Sequence, residues 1–213
     1  LNTRYKLSLG KAIIWIFLDR FVDFLVVLVL TAGLLFVVPT TLSIKFIIII
    51  NVILTIALAL TYLAVYQLNF SKKIVNFLKH LLIEKHIKIY FERFSHFILE
   101  SFVILRRHPK DLLMMAFLTV LAFGADAGIW YFTFQALGVN PGYIKMYLGQ
   151  MLSALTYLIP AAPGYVGSAE ALGALILSGV FGFEVNLASA MIVLSHITTA
   201  LFMIILGLIS IFN

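Results

Sequence analysis

Leu158-Ile159-Pro160-Ala161-Ala162-Pro163-Gly164-Tyr165-Val166-Gly167-Ser168-Ala169-Glu170 is the stretch on which the reading of this chain turns. Pro160 and Pro163 carry no backbone N–H, so a helix arriving from Tyr143 should stop here. Gly164 and Gly167 permit backbone angles closed to other residues. Ser168 is a good N-cap for a new helix, and Glu170 falls in its first turn, where the macrodipole favours a carboxylate. The pattern is helix, break, helix. In a bilayer such a break is tolerated only where protein buries it or where it lines a watery cavity. Broken helices of this kind form substrate sites in transporters. The competing reading is a plain surface loop whose glutamate does nothing more than cap a helix.

The sequence on either side decides that a bilayer is involved. Of 213 residues, 63% are hydrophobic and 11% charged, with mean hydropathy +1.11, a composition outside that of soluble domains. Several apolar runs reach the length of about 20 residues that a helix needs to cross a hydrocarbon core of about 30 Å. The predicted fold class is all-α: a polytopic helical membrane protein with a Pro/Gly-broken, re-entrant helix pair and a cytoplasmic amphipathic helical segment. One membrane domain is expected over residues 1–213. Its spans are predicted at about 12–38, 41–68, 111–137, 143–159, 168–181 and 185–212. The 143–159 and 168–181 segments are short, and two tilted spans in a thin region are the alternative to a re-entrant pair.

Residues 70–108 differ in kind. Ile74, Phe77, Leu78, Leu81 and Leu82 recur at helical spacing, and Ile87, Tyr90, Phe91, Phe94 and Ile98 repeat it after the charged break Glu84-Lys85-His86. Lys72, Lys73, Lys79, Lys85, Lys88 and Arg93 occupy much of the opposite face. This predicts one or two amphipathic helices, lying on the membrane surface or extending the second span as a hairpin. Nine of the fifteen Lys and Arg residues lie between Lys72 and Lys110. By the positive-inside rule this segment, the N-terminal flank and the C-terminus are expected in the cytoplasm, the chain lying in the cell membrane. The charge suits an anionic membrane face, and no nucleic-acid partner is expected. His80, His86, His96 and His108 lack the spacing of a metal site, so no metal is expected and a solvated face is the reading. With no cysteine, disulfides and Cys-ligated zinc are excluded. No cofactor motif and no catalytic constellation appears.

Ionisable groups inside the spans are the candidate site residues. Arg20 and Asp23 are spaced to pair on one helix face, about 13 Å into the first span. The alternative is that Asp19, Arg20 and Asp23 sit at the cytoplasmic interface. Asp126 lies about 22 Å along its helix from Asp111, with apolar residues on both sides, and needs a partner or a watery cavity. His196, flanked by Ser195 and Thr198, is either part of that interior or a packing group satisfied by a neighbouring hydroxyl. Asn51, Gln135 and Gln150 could add hydrogen bonds to the same interior. Among cationic side chains, Arg20 is the expected partner of Glu170.

These motifs resemble the flippase-like transmembrane region of lysylphosphatidylglycerol synthases (multiple peptide resistance factors) and its stand-alone relatives. Arg20-Phe21-Val22-Asp23 matches the family's Arg-x-x-Asp. Pro160 to Glu170 matches its Pro-x-x-Pro-Gly-x-x-Gly-x-x-Glu break. His196 stands eleven residues before Gly207, where the family usually has arginine. The resemblance implies a lipid translocase or lipid-headgroup-binding module, with Arg20, Asp23, Asp126, Pro163, Gly164, Gly167, Ser168, Glu170 and His196 as substrate-binding residues. Implied ligands are aminoacylated phosphatidylglycerol, another membrane phospholipid or a polyprenyl lipid. A membrane subunit of a separate soluble transferase and an ion-coupled solute transporter are the other readings, and a homo-oligomer is a further candidate assembly. Relatives with an added soluble domain are phosphatidylglycerol lysyltransferases. That domain is not in these residues, and the chain by itself is not expected to be an enzyme. Further spans are expected to precede Leu1.

Overall fold

The computed structural model describes residues 9–82, 84–156 and 167–212, and every regular element among them is a helix. In chain order these are α1 Leu9–Val37, α2 Ile44–Tyr66, α3 Leu68–Leu81, α4 Lys85–Arg107, α5 Pro109–Ala136, α6 Tyr143–Thr156, α7 Ser168–Phe181 and α8 Val185–Phe212. Among the described residues, α2, α5 and α8 are long and apolar enough to cross a membrane. Their surfaces agree with that. On α8, Leu201, Phe202, Met203, Ile204, Ile205 and Leu206 follow one another and are all exposed. No single helix face accounts for six consecutive exposed apolar residues. Hydrocarbon on all sides does.

The amphipathic segment forms two helices: α3 ends at Leu81 and α4 starts at Lys85, so of the charged cluster Glu84 caps α4 and Lys85 and His86 open it. Pro160, Pro163, Gly164 and Tyr165 lie outside the described residues, and α6 is described as far as Thr156.

The chain divides into two compact units. The first takes the residues up to Val26 together with Val52–Thr119. Here the start of α1 packs on α4: Phe21 and Phe102 stand 5.4 Å apart between ring centres, with Phe17 against both. Thr119 of α5 donates a hydrogen bond to Asp23 of α1 at 2.8 Å. Helices α3 and α4 form a hairpin joined by the Lys79–Glu92 ion pair. Ser71 donates to the carbonyl of Ala64 at 2.6 Å, fixing α3 to the end of α2.

The second unit takes Val27–Asn51 and the described residues from Val120 onward. The turns that follow α1, α5 and α7 gather at one end of it. Thr41 donates its N–H to the carbonyl of Val180 at 2.8 Å and its hydroxyl to the carbonyl of Gly179 at 2.6 Å. Phe134 stacks near Phe183 with ring centres 4.6 Å apart. Helix α5 stops there because Gly138 turns left-handed, with φ +80°. The amide of Val139 then closes on the carbonyl of Phe134 at 3.0 Å, and that of Gly138 on Gln135 at 2.9 Å, satisfying carbonyls the helix end leaves free.

Candidate functional site

The N-cap of α7 is Gly167, and Ser168, the expected cap, is its first helical residue. Gly167 sits at φ +84°, a conformation that a side chain would strain. Its N–H donates to Glu170 Oε2 at 2.6 Å. This is the backward half of a capping box, in which the third helical residue satisfies a donor at the helix start. Gly167 has no side chain to return the bond.

The other oxygen of Glu170 leaves the helix. Its Oε1 meets His196 Nδ1 of α8 at 2.5 Å. The carboxylate therefore bridges the start of α7 to the middle of α8. A glycine one turn away lies where the two helices meet. A Cβ on Gly173 would come within 2.8 Å of Ile192 Cδ1, so α7 lies closer to α8 than any larger residue would permit without movement. Gly149 plays the same part between α6 and α5, where a Cβ would come within 3.0 Å of the Trp130 ring.

His196 opens onto a cavity of about 300 Å³ formed by α5, α6, α7 and α8. Its polar lining is Asp126, Gln150, Ser153, Ser195, His196 and Thr199. Phe123, Ile129, Trp130 and Ile192 make the apolar wall. Gln150 Nε2 donates to the backbone carbonyl of Asp126 at 3.3 Å, tying α6 to α5 across the cavity. Among the described residues the Asp126 carboxylate itself has no hydrogen-bond or ion-pair partner. Among the described residues no lysine or arginine lines the cavity. Among the described residues the ionisable groups of the lining are thus Asp126 and His196, and His196 pairs with Glu170.

Ile129 also borders a second, apolar groove of about 1140 Å³ in the same unit. Leu30, Leu34, Leu121, Phe132, Ile144 and Leu194 are among its walls. A polar chamber and an apolar groove therefore share one side chain as their partition.

Arg20 and Asp23 belong to the first unit and are described there. Arg20 pairs with Asp19 at 2.9 Å and with Asp23 at 3.2 Å. Arg20 and Asp19 are exposed, whereas Asp23 is half-buried and also holds Thr119. The structure thus gives Glu170 a histidine where an arginine partner was expected. It also gives His196 a carboxylate where a hydroxyl was the alternative. Asn51 and Gln135 spend their amides locally, Asn51 on the carbonyl of Ile47 and Gln135 on the hydroxyl of Tyr131. Ser153, Thr199 and Trp130 were missed as cavity residues. Thr199 and Ile192 could have been found from His196, since steps of three and four residues keep to one helix face.

The fold and the cavity define a class: a polytopic helical membrane protein with a chamber between helices that Asp126 and His196 help to line. The chain belongs to the lysylphosphatidylglycerol synthase TM region family, whose model matches residues 1–207. Comparison with curated proteins and with solved structures gave no match. Among the described residues there is no cluster of His, Cys, Asp or Glu that could hold a metal ion.

Proposed function

We propose that this protein binds the headgroup of a membrane lipid and carries it across the bilayer. The observation behind this reading is the cavity lined by Asp126 and His196 with an apolar groove alongside it. A headgroup would occupy the chamber of Asp126, Gln150 and the Glu170–His196 pair while the acyl chains stay in the groove and the surrounding hydrocarbon. Two carboxylates against one histidine favour a headgroup with an amine, such as an aminoacylated phosphatidylglycerol. Its phosphate would use the charged form of His196. Among membrane lipids the same chamber would take a polyprenyl lipid only if its headgroup were cationic. The test is a headgroup-accessibility assay in reconstituted vesicles with amine-bearing and amine-free phospholipids. Faster translocation of the amine-bearing lipid is expected. Equal rates, or no rate above protein-free vesicles, would overturn the reading.

The orientation follows from the basic flanks. The α3–α4 hairpin and the C-terminus are read as cytoplasmic, and the turns at Thr41, Asn140 and Gly182 as facing the other side. The chain has no cysteine, so single cysteines report cleanly. An impermeant maleimide applied to intact cells should label Asn140→Cys and spare Glu84→Cys. The reverse pattern would invert the topology.

A further inference from the structure

Helix α4 carries one apolar stripe that changes surroundings along its length. Toward the C-terminal end the stripe is packed: Phe102 is 7% exposed and Leu105 6%, with Phe102 against Phe17 and Phe21 of α1. Toward the N-terminal end the same stripe continues at helical spacing through Ile87, Tyr90 and Phe94, and protein no longer covers it. Tyr90 is 71% exposed and Phe94 54%. On α3, Ile74, Phe77, Leu78 and Leu81 make a second apolar face at the same spacing, also exposed, with Phe77 at 66%. The two faces belong to one hairpin, held by Lys79 and Glu92.

The opposite faces are basic. Between Leu68 and Arg107 there are eight lysines and arginines against three glutamates. Lys72 and Lys73 of α3 and Arg93 of α4 are exposed. One of the three glutamates, Glu92, is already engaged by Lys79. A helix with aromatic and aliphatic side chains on one face and lysines on the other lies in an interface, apolar side down, and its basic charge is attracted to anionic headgroups. An acidic protein surface would satisfy the lysines but leave Phe77, Tyr90 and Phe94 in water. A second copy of this hairpin would cover the aromatics but leave the basic faces without an anionic partner. An anionic bilayer surface satisfies both faces at once.

We infer that the α3–α4 hairpin is a lipid-surface contact: Ile74, Phe77, Leu81, Tyr90 and Phe94 enter the headgroup–acyl boundary, and Lys72, Lys73, Lys88 and Arg93 hold anionic phospholipid headgroups. This concerns the hairpin alone and does not depend on the cavity or on what is translocated.

Spin labels on single cysteines test it in the full chain in nanodiscs, either phosphatidylcholine alone or phosphatidylcholine with phosphatidylglycerol. Nitroxides at Phe77→Cys and Tyr90→Cys are expected to be relaxed by oxygen and hidden from a water-soluble nickel chelate. Labels at Lys73→Cys and His96→Cys should show the reverse. Phosphatidylglycerol should deepen the first pair, and raising the salt should cancel that gain, because the attraction is electrostatic. A variant with Lys72, Lys73, Lys88 and Arg93 all changed to Gln should lose the response to phosphatidylglycerol. If that variant does not fold, the salt series on the single-cysteine proteins decides the same question. Nickel access at Phe77→Cys and Tyr90→Cys in both disc types would overturn the inference. So would a depth indifferent to phosphatidylglycerol, or dipolar broadening between labels on two copies.

Discussion

Glu170→Gln is expected to leave the protein inserted and folded while lowering lipid translocation roughly 10- to 100-fold, the equivalent of one hydrogen bond to a charged group at about 1.5–3 kcal/mol. Glutamine keeps the length and planarity of the side chain. Its carbonyl can still accept from the N–H of Gly167, so the start of α7 keeps its cap. What disappears is the charge beside His196, which lines the cavity. Glu170→Ala goes further. It frees the Gly167 amide and leaves His196 without its partner, so stability should fall along with transport. The two substitutions are to be compared in reconstituted vesicles, beside thermal unfolding in detergent. If Glu170 only caps a helix, its charge is worth about 0.3–1 kcal/mol and transport should be untouched. Wild-type translocation by Glu170→Gln would reduce the site to that role.

Phe134→Ala carries the largest expected loss of stability, about 3–5 kcal/mol. Its side chain is fully buried and stacks near Phe183, while its carbonyl closes the end of α5. In a bilayer, helix–helix contact gains little from the hydrophobic effect, because lipid tails are as apolar as the side chains. The loss therefore comes from missing packing contacts around the cavity that alanine would leave. Phe134→Leu should recover more than half of it. Thermal unfolding in detergent reads both, and a midpoint for Phe134→Ala equal to wild type would show that this end of the unit is not held by the Phe134–Phe183 contact. Phe134 does not line the cavity, so at temperatures where the variant is folded it should translocate as wild type does.

The all-helical membrane class was legible because it is set by one-dimensional quantities. Mean hydropathy, run length and the 3.6-residue period are local, and a bilayer leaves an apolar run of that length few choices besides a helix. The ends of helices were legible where the chain itself forms them. Gly138 and Gly182 end α5 and α7 in left-handed turns, and Asn140-Pro141-Gly142 marks the connection to α6. The amphipathic hairpin was legible for the same reason, with Glu84 of the expected charged break capping α4 and Lys85 and His86 already in its first turn.

The candidate site was legible as a list of residues and not as an arrangement. Asp126, Glu170 and His196 stand out because polar groups are rare in apolar helices. Nothing in their spacing says that Glu170 reaches His196, twenty-six residues later on another helix. Chemical type alone pointed Glu170 toward Arg20, a permanent cation, but Arg20 has Asp19 and Asp23 within reach on its own helix. Gly173 meets Ile192 where α7 and α8 approach, and Gly149 meets Trp130 between α6 and α5. Such contacts join residues far apart in sequence. The sequence by itself determined that this chain is a bundle of membrane helices with a few interior charges. Which charges meet was decided only in the tertiary structure, because pairing depends on how closely and in what register helices pack, and small residues set that distance.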